Sequence, residues 1–236
     1  MLVRVPPLIR RRNLWLPTWF GWLLLALTLI ATAVILGRNL YRFLSPNEPV
    51  RAEVLVVEGW MPESALEEAL NKFVAADFRF LVTSGGPITH WTAYVPFSTY
   101  AGFAADFYKR RGISPESVIA VPTPASAQNR TFLSAVMVRE WAYGLAQPPS
   151  AINVYSYGPH ARRTRLLYRL AFGPGVEIGI LSATPDRYRG ETWWRTSEGA
   201  KVVFTELIAW LWTACCFSRP ERGSLEERWG RPETDR

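Results

Sequence analysis

Cysteine is nearly absent from this chain of 236 residues: the two it has, Cys215 and Cys216, are neighbours. Adjacent cysteines rarely meet disulfide geometry, so no cross-linked framework is expected and burial must hold the fold together. Histidine is as scarce, at two. No cysteine cluster exists for zinc and the carboxylates are too sparse for a magnesium pair, so no metal site is expected. The first strand lacks a following Gly-x-Gly-x-x-Gly, which leaves a dinucleotide without its phosphate loop, and no cofactor is assigned. Charge of one sign is in excess, a net +7, but residues 1–51 hold seven arginines against Glu48 alone and so carry six of those seven charges. The remainder is almost neutral. The basicity therefore belongs mostly to the flanks of a membrane segment, and nucleic acid is not expected as a partner.

Charge is also missing from a single long stretch. Between Arg12 and Arg38 no residue is ionisable, and Trp22 to Leu36 is almost wholly apolar. At about 1.5 Å per residue such a run covers about the 30 Å hydrocarbon core of a bilayer, with Trp15, Trp19, Phe20 and Trp22 at the depth of an interfacial belt. Ala31-Thr32-Ala33 imitates a signal-peptidase site, but Val34-Ile35-Leu36 continues the apolar run beyond it, which favours an uncleaved signal anchor. The expected organisation is a cytoplasmic N-terminus at 1–13, a transmembrane signal anchor at 14–37, a linker at 38–51, one folded domain at 52–217 and a disordered charged tail at 218–236. Arg4, Arg10, Arg11 and Arg12 before the span outweigh Arg38, Arg42 and Arg51 after it. This bias places the protein in the plasma (inner) membrane as a single-pass protein, with its domain on the extracytoplasmic side.

Beyond the anchor, short β-branched runs alternate with helical patterns. Val54–Val57, Phe80–Thr83, Val118–Val121, Ile152–Tyr155 and Val176–Leu181 are apolar on both faces, as strands covered by helices on both sides must be. Helices are expected from Pro62-Glu63, where Ser64 and Glu67 have capping-box spacing, and over 97–111, 127–144, 159–172 and 197–217. Five β-α units predict an α/β fold, a Rossmann-like three-layer sandwich with a five-stranded, mainly parallel sheet; if its order is 3-2-1-4-5, strands one and four are neighbours. The last helix is apolar nearly all round yet contains Glu206. It reads as a buried helix closing the sheet or as one lying partly in the membrane interface.

In such a sheet ligands sit beyond the carboxyl ends of the strands. The residues there are Glu58 and Gly59 after the first strand, Ser84, Gly85 and Gly86 after the second, Asn129, Arg130 and Thr131 after the third, and His160 and Arg163 after the fourth. His160 and Arg163 share the first turn of a helix, where cations oppose the dipole unless an anion compensates. An arginine fork there suits phosphate or carboxylate. Arg162, Arg165 and Arg169 read instead as a solvated face. Gly85-Gly86 is either a structural turn or a bare backbone cradle. Asn129, Arg130 and Thr131 either cap a helix or donate to the same anion. Glu58 is a general base, a metal ligand or simply the partner of Arg163.

Taken together, Val57-Glu58-Gly59-Trp60, Thr83-Ser84-Gly85-Gly86, Gln128-Asn129-Arg130-Thr131 and His160-Ala-Arg-Arg163 resemble the ElyC/SanA/YdcF family, the bacterial envelope domain of unknown function numbered 218. Trp193-Trp194 followed by Ser197-Glu198-Gly199 is similar to a membrane-anchored branch of it. The resemblance covers roughly residues 52–212, and Asn129, His160 and Arg163 match its pattern. Where that pattern has a glutamate before the asparagine this chain has Gln128, which moves any acid-base role to Glu58. The resemblance implies a Rossmann-like fold and a part in envelope or peptidoglycan biogenesis. Two functions follow as expectations. One is an enzyme processing a phosphorylated or lipid-linked cell-wall precursor, with Glu58 and His160 catalytic and Gly59, Ser84, Gly85, Gly86, Asn129, Arg130, Thr131 and Arg163 binding the ligand. The other is a non-catalytic scaffold module regulating an envelope protein complex. A nucleotide-type cofactor domain follows only from the fold, by analogy. The expected partners are the lipid bilayer and an anionic small molecule or lipid-linked precursor.

Overall fold

A computed structural model describes residues 18–88, 97–126 and 128–229. Its contacts divide the chain into two units, Met1–Asn39 and Leu40–Arg236. The first contributes most of α1 (Trp19–Leu44), one of two helices among the described residues that are long and apolar enough to cross a membrane. The expected cytoplasmic N-terminus and the start of the anchor lie outside the described residues. The linker expected at 38–51 begins instead as helix: nothing breaks the pattern before Pro46, and the residue preceding a proline disfavours helical dihedrals, so α1 ends at Leu44.

The second unit is the expected sandwich. Strands β1 (Val54–Glu58), β2 (Phe80–Gly85), β3 (Val118–Pro122), β4 (Ala151–Tyr157) and β5 (Glu177–Ala183) form one sheet in the order β3-β2-β1-β4-β5. All four pairings are parallel. Because side chains alternate across a strand, Val54, Val56, Ile152 and Val154 meet α4 (Arg130–Tyr143) and α5 (Ala161–Phe172) on one face. Leu55, Val57, Leu81 and Tyr155 meet α2 (Glu63–Val74) and α3 (Tyr100–Arg110) on the other. Each fully buried Val or Leu contributes about 1.5–3 kcal/mol, which makes these two layers the bulk of the stability. The capping box expected at Ser64 and Glu67 does not form, since Ser64 already lies inside α2, which starts after Pro62 without a side-chain cap.

Residues 45–50 are tied to the far edge of the sheet. Glu48 exchanges backbone bonds with Ile180 at 2.8 and 3.1 Å, and the buried Asn153 side chain grips both the amide and the carbonyl of Val50. Asn153 reaches Val50 across Gly179, where a Cβ would lie 2.0 Å from its oxygen. The arginines expected to form a solvated face do part of this work. Arg165 bonds Glu48 and the Ile178 carbonyl, and Arg162 bonds the Phe43 carbonyl and stacks on its ring.

Three readings at the C-terminus do not hold: the buried alternative for the last helix, the unbridged cysteines and the disordered tail. The helix α6 (Ser197–Cys216) buries only Gly199, Val203 and Thr213, and packs beside α5 and the 3-10 segments at Gly158–His160 and Gly190–Arg195 rather than closing the sheet. With α2 to α5 already covering the two faces, α6 is left with a wide apolar side uncovered. Cys215 and Cys216 at its end are joined by a disulfide, contrary to the usual rule for neighbours, although a bridge between adjacent residues closes no loop and staples nothing. The tail is also ordered as far as it is described: α7 (Leu225–Trp229) docks on α4, where Glu227 meets the buried Arg139 at 2.7 and 2.9 Å. A buried guanidinium demands a carboxylate, and the charged tail supplies one.

Candidate functional site

The strand order reverses at β1, between β2 and β4, and a cavity of about 1190 Å³ opens beside the carboxyl ends of those strands. Of the ten residues singled out in the sequence, nine line it: Glu58, Ser84, Gly85, Gly86, Asn129, Arg130, Thr131, His160 and Arg163. Gly59 does not. A Cβ there would lie 2.4 Å from the Tyr100 carbonyl oxygen, and its amide donates to Ser84 at 2.7 Å, so its role is to let the β1 end pack against α3. Gly85, at φ 153°, serves the same approach, since a Cβ would come within 2.8 Å of that of Tyr100.

His160 sits at the centre. A 3-10 turn at Gly158–His160 leads from β4 into α5 and buries the imidazole, while the Trp60 ring packs edge-on against it at 5.3 Å. Its Nδ1 lies 2.9 Å from Glu206 Oε1 and 3.0 Å from Arg163 Nη2. A bare nitrogen lone pair facing a carboxylate at that distance would repel it, so Nδ1 carries the proton and donates to Glu206. Arg163 then spends its hydrogens on the same carboxylate, through Nε at 3.0 Å and Nη2 at 3.2 Å. Nε2 is left facing Thr131 Oγ1 at 3.4 Å and Glu58 Oε1 at 3.7 Å.

Burial alone would push the Glu206 carboxyl up, but the hydrogen bonds and charges of His160 and Arg163 outweigh it and hold it down at about 2. Glu206 is therefore a fixed anion. Glu58 does not pair with Arg163, as one reading of the sequence had it. It lies fully buried and accepts the Ser156 hydroxyl at 2.5 Å and the Thr164 hydroxyl at 3.4 Å. The imidazole thus stands between two carboxylates, one bonded to Nδ1 and one close to Nε2.

Beside Thr131, Asn129 adopts a left-handed conformation at φ 52°, the only non-glycine among the described residues with positive φ. Its side chain does not cap α4, which leaves the first-turn amides of that helix for another acceptor, with Arg130 exposed beside them. The helix α6 lines the cavity with apolar Ile208, Ala209 and Trp212 beside polar Thr205, Glu206 and Thr213, and Phe217 follows them.

Three functional residues escaped the sequence reading of the site: Glu206, Ser156 and Thr164. Glu206 left a signal, as the sole charged residue between Lys201 and Arg219. A lone carboxylate inside an apolar helix implies a cation or imidazole packed against it. Thr164 also left one, since it lies four residues after His160 and so shares a helix face with His160 and Arg163; Ser156, an ordinary strand residue, left none. In comparison with known proteins, no family model matches the chain, and neither does any curated protein.

Proposed function

We propose that this is a membrane-anchored envelope-biogenesis protein that binds a phosphorylated amphiphile, of the kind represented by a lipid-linked cell-wall precursor, and acts on its phosphate end. One observation supports this above the others: a single cavity has polar donors at the strand ends and apolar side chains from α6. Arg163 is already neutralised by Glu206, so the phosphate falls to Arg130, the uncapped start of α4 and the Gly85-Gly86 turn. His160, held by Glu206 through Nδ1, has Nε2 to give or take a proton, and Glu58 stabilises the imidazolium while it carries the extra charge. The anchor is α1, with the domain on the extracytoplasmic side as the arginine bias favours.

Full-length protein in detergent tests this with a polyprenyl monophosphate, the matching prenol and inorganic phosphate. The phosphate-bearing lipid is expected to bind more tightly than the prenol, and Arg130→Ala to weaken it by about tenfold, the worth of one charge-assisted contact. Equal binding of the prenol, or an unchanged affinity in Arg130→Ala, overturns the reading.

A binding module without chemistry is favoured by a different observation, the ion pair that satisfies Arg163 without any guest. Release of inorganic phosphate from the lipid by wild type, lost in His160→Gln, decides for the enzyme. Tight binding with no release decides for the module.

A further inference from the structure

The uncovered side of α6 is the largest feature of the domain that neither the sheet nor the cavity explains. Phe204, Ile208, Leu211 and Trp212 lie at helical spacing, and each is at least half exposed. From Val202 to Ser218 the helix and its exit carry no charge except Glu206, which faces inward and is paired. Exposed Arg195 and Lys201 stand at one end of this row and exposed Arg219 at the other. A wide apolar face without ionisable groups, with a tryptophan on it and cations at its ends, has the composition of a helix lying in a headgroup–acyl boundary.

The same helix is joined to the end of the anchor. The Phe43 ring packs edge-on against Trp210 at 4.9 Å, and Leu44 is buried with Val203 and Trp193. Gly37, where the uncharged run ends, lies six residues before Phe43. Even fully extended, six residues span no more than about 20 Å, so α6 is tethered by the chain within reach of the interface that α1 enters.

We propose that the outward face of α6 rests in the bilayer interface, with Phe204, Ile208, Leu211 and Trp212 among the acyl chains. Its partner is the lipid surface itself, the bilayer that holds α1. Ile208 and Trp212 also line the cavity, so the lipid-facing row forms part of its rim and an acyl chain can pass there between the cavity and the bilayer. The first statement depends on α1 as an anchor and not on what the cavity binds.

The test uses full-length protein in nanodiscs of phosphatidylcholine and phosphatidylglycerol, in a Cys215→Ser, Cys216→Ser background. An environment-sensitive fluorophore is attached through Leu211→Cys, with Phe204→Cys as a second probe should the first fail to fold. Leu29→Cys in α1 and Lys72→Cys on the far side of the domain are the references. Lipids spin-labelled near the headgroup are expected to quench the probe at 211 by about twofold, lipids labelled at the bilayer centre to quench only the probe at 29, and neither to affect the probe at 72. Four results overturn the proposal. No quenching at 29 removes the anchor and the proposal with it. Quenching at 29 but not at 211 leaves the helix in water. Shielding at 211 without quenching by lipid indicates a second copy of the chain, and quenching at 211 from the bilayer centre makes α6 a second span.

Discussion

A carboxylate in the middle of an apolar helix costs several kcal/mol unless its charge is answered, and Glu206 is answered twice, by the guanidinium of Arg163 and by the imidazole of His160. Replacing it by glutamine leaves the cation half-buried without its anion and releases the constraint on the His160 tautomer. Glu206→Gln is expected to lower stability by about 1–3 kcal/mol, read by chemical denaturation, and to abolish any phosphate release. The pH dependence has a definite sign. Because the folded carboxyl is held at about 2, below the ordinary carboxylate range, its pairing contributes fully above that range and is lost as the pH falls towards and through about 2. Wild type should therefore show a steeper acid-side loss of stability than Glu206→Gln, whose amide does not titrate; equal slopes would remove Glu206 from the account.

At the scale of elements, two contacts hold segments that carry little regular structure of their own. Arg139 and Glu227 are both buried and joined by two hydrogen bonds. Glu227→Ala should cost about 3–5 kcal/mol by stranding a buried guanidinium, and limited proteolysis should then cut near residue 222. Gly179→Ala places a methyl where the Asn153 amide passes to Val50, and should cost about 1–3 kcal/mol by overpacking, with faster hydrogen exchange over residues 45–50. These elements also mark how far the sequence could be read. The β-branched runs carry the three-layer parallel architecture, since a strand apolar on both faces has only the middle of a sandwich to occupy; the order of the strands shows only in the structure. The site was half legible for the same reason: Glu58, Ser84 and His160 sit at the ends of those strands by topology. Glu206 lies 46 residues beyond His160, and its partnership exists only once α6 docks on α5. The tail reads as disordered because its window lacks apolar periodicity, whereas the order of its described part comes from one charge pair with a distant helix.

As a whole, the molecule has an apolar helix long enough to cross a bilayer and a cavity lined both by polar groups at the strand ends and by apolar side chains of α6. The central claim is that the polar lining, where Arg130 and the first turn of α4 face the cavity, takes a phosphate that arrives attached to lipid. The phosphorus resonance of a polyprenyl phosphate in micelles reads this directly as full-length protein is titrated in. A shift and broadening with wild type that Arg130→Ala largely removes is the result predicted. A resonance that neither protein disturbs, or that both disturb alike, would contradict it.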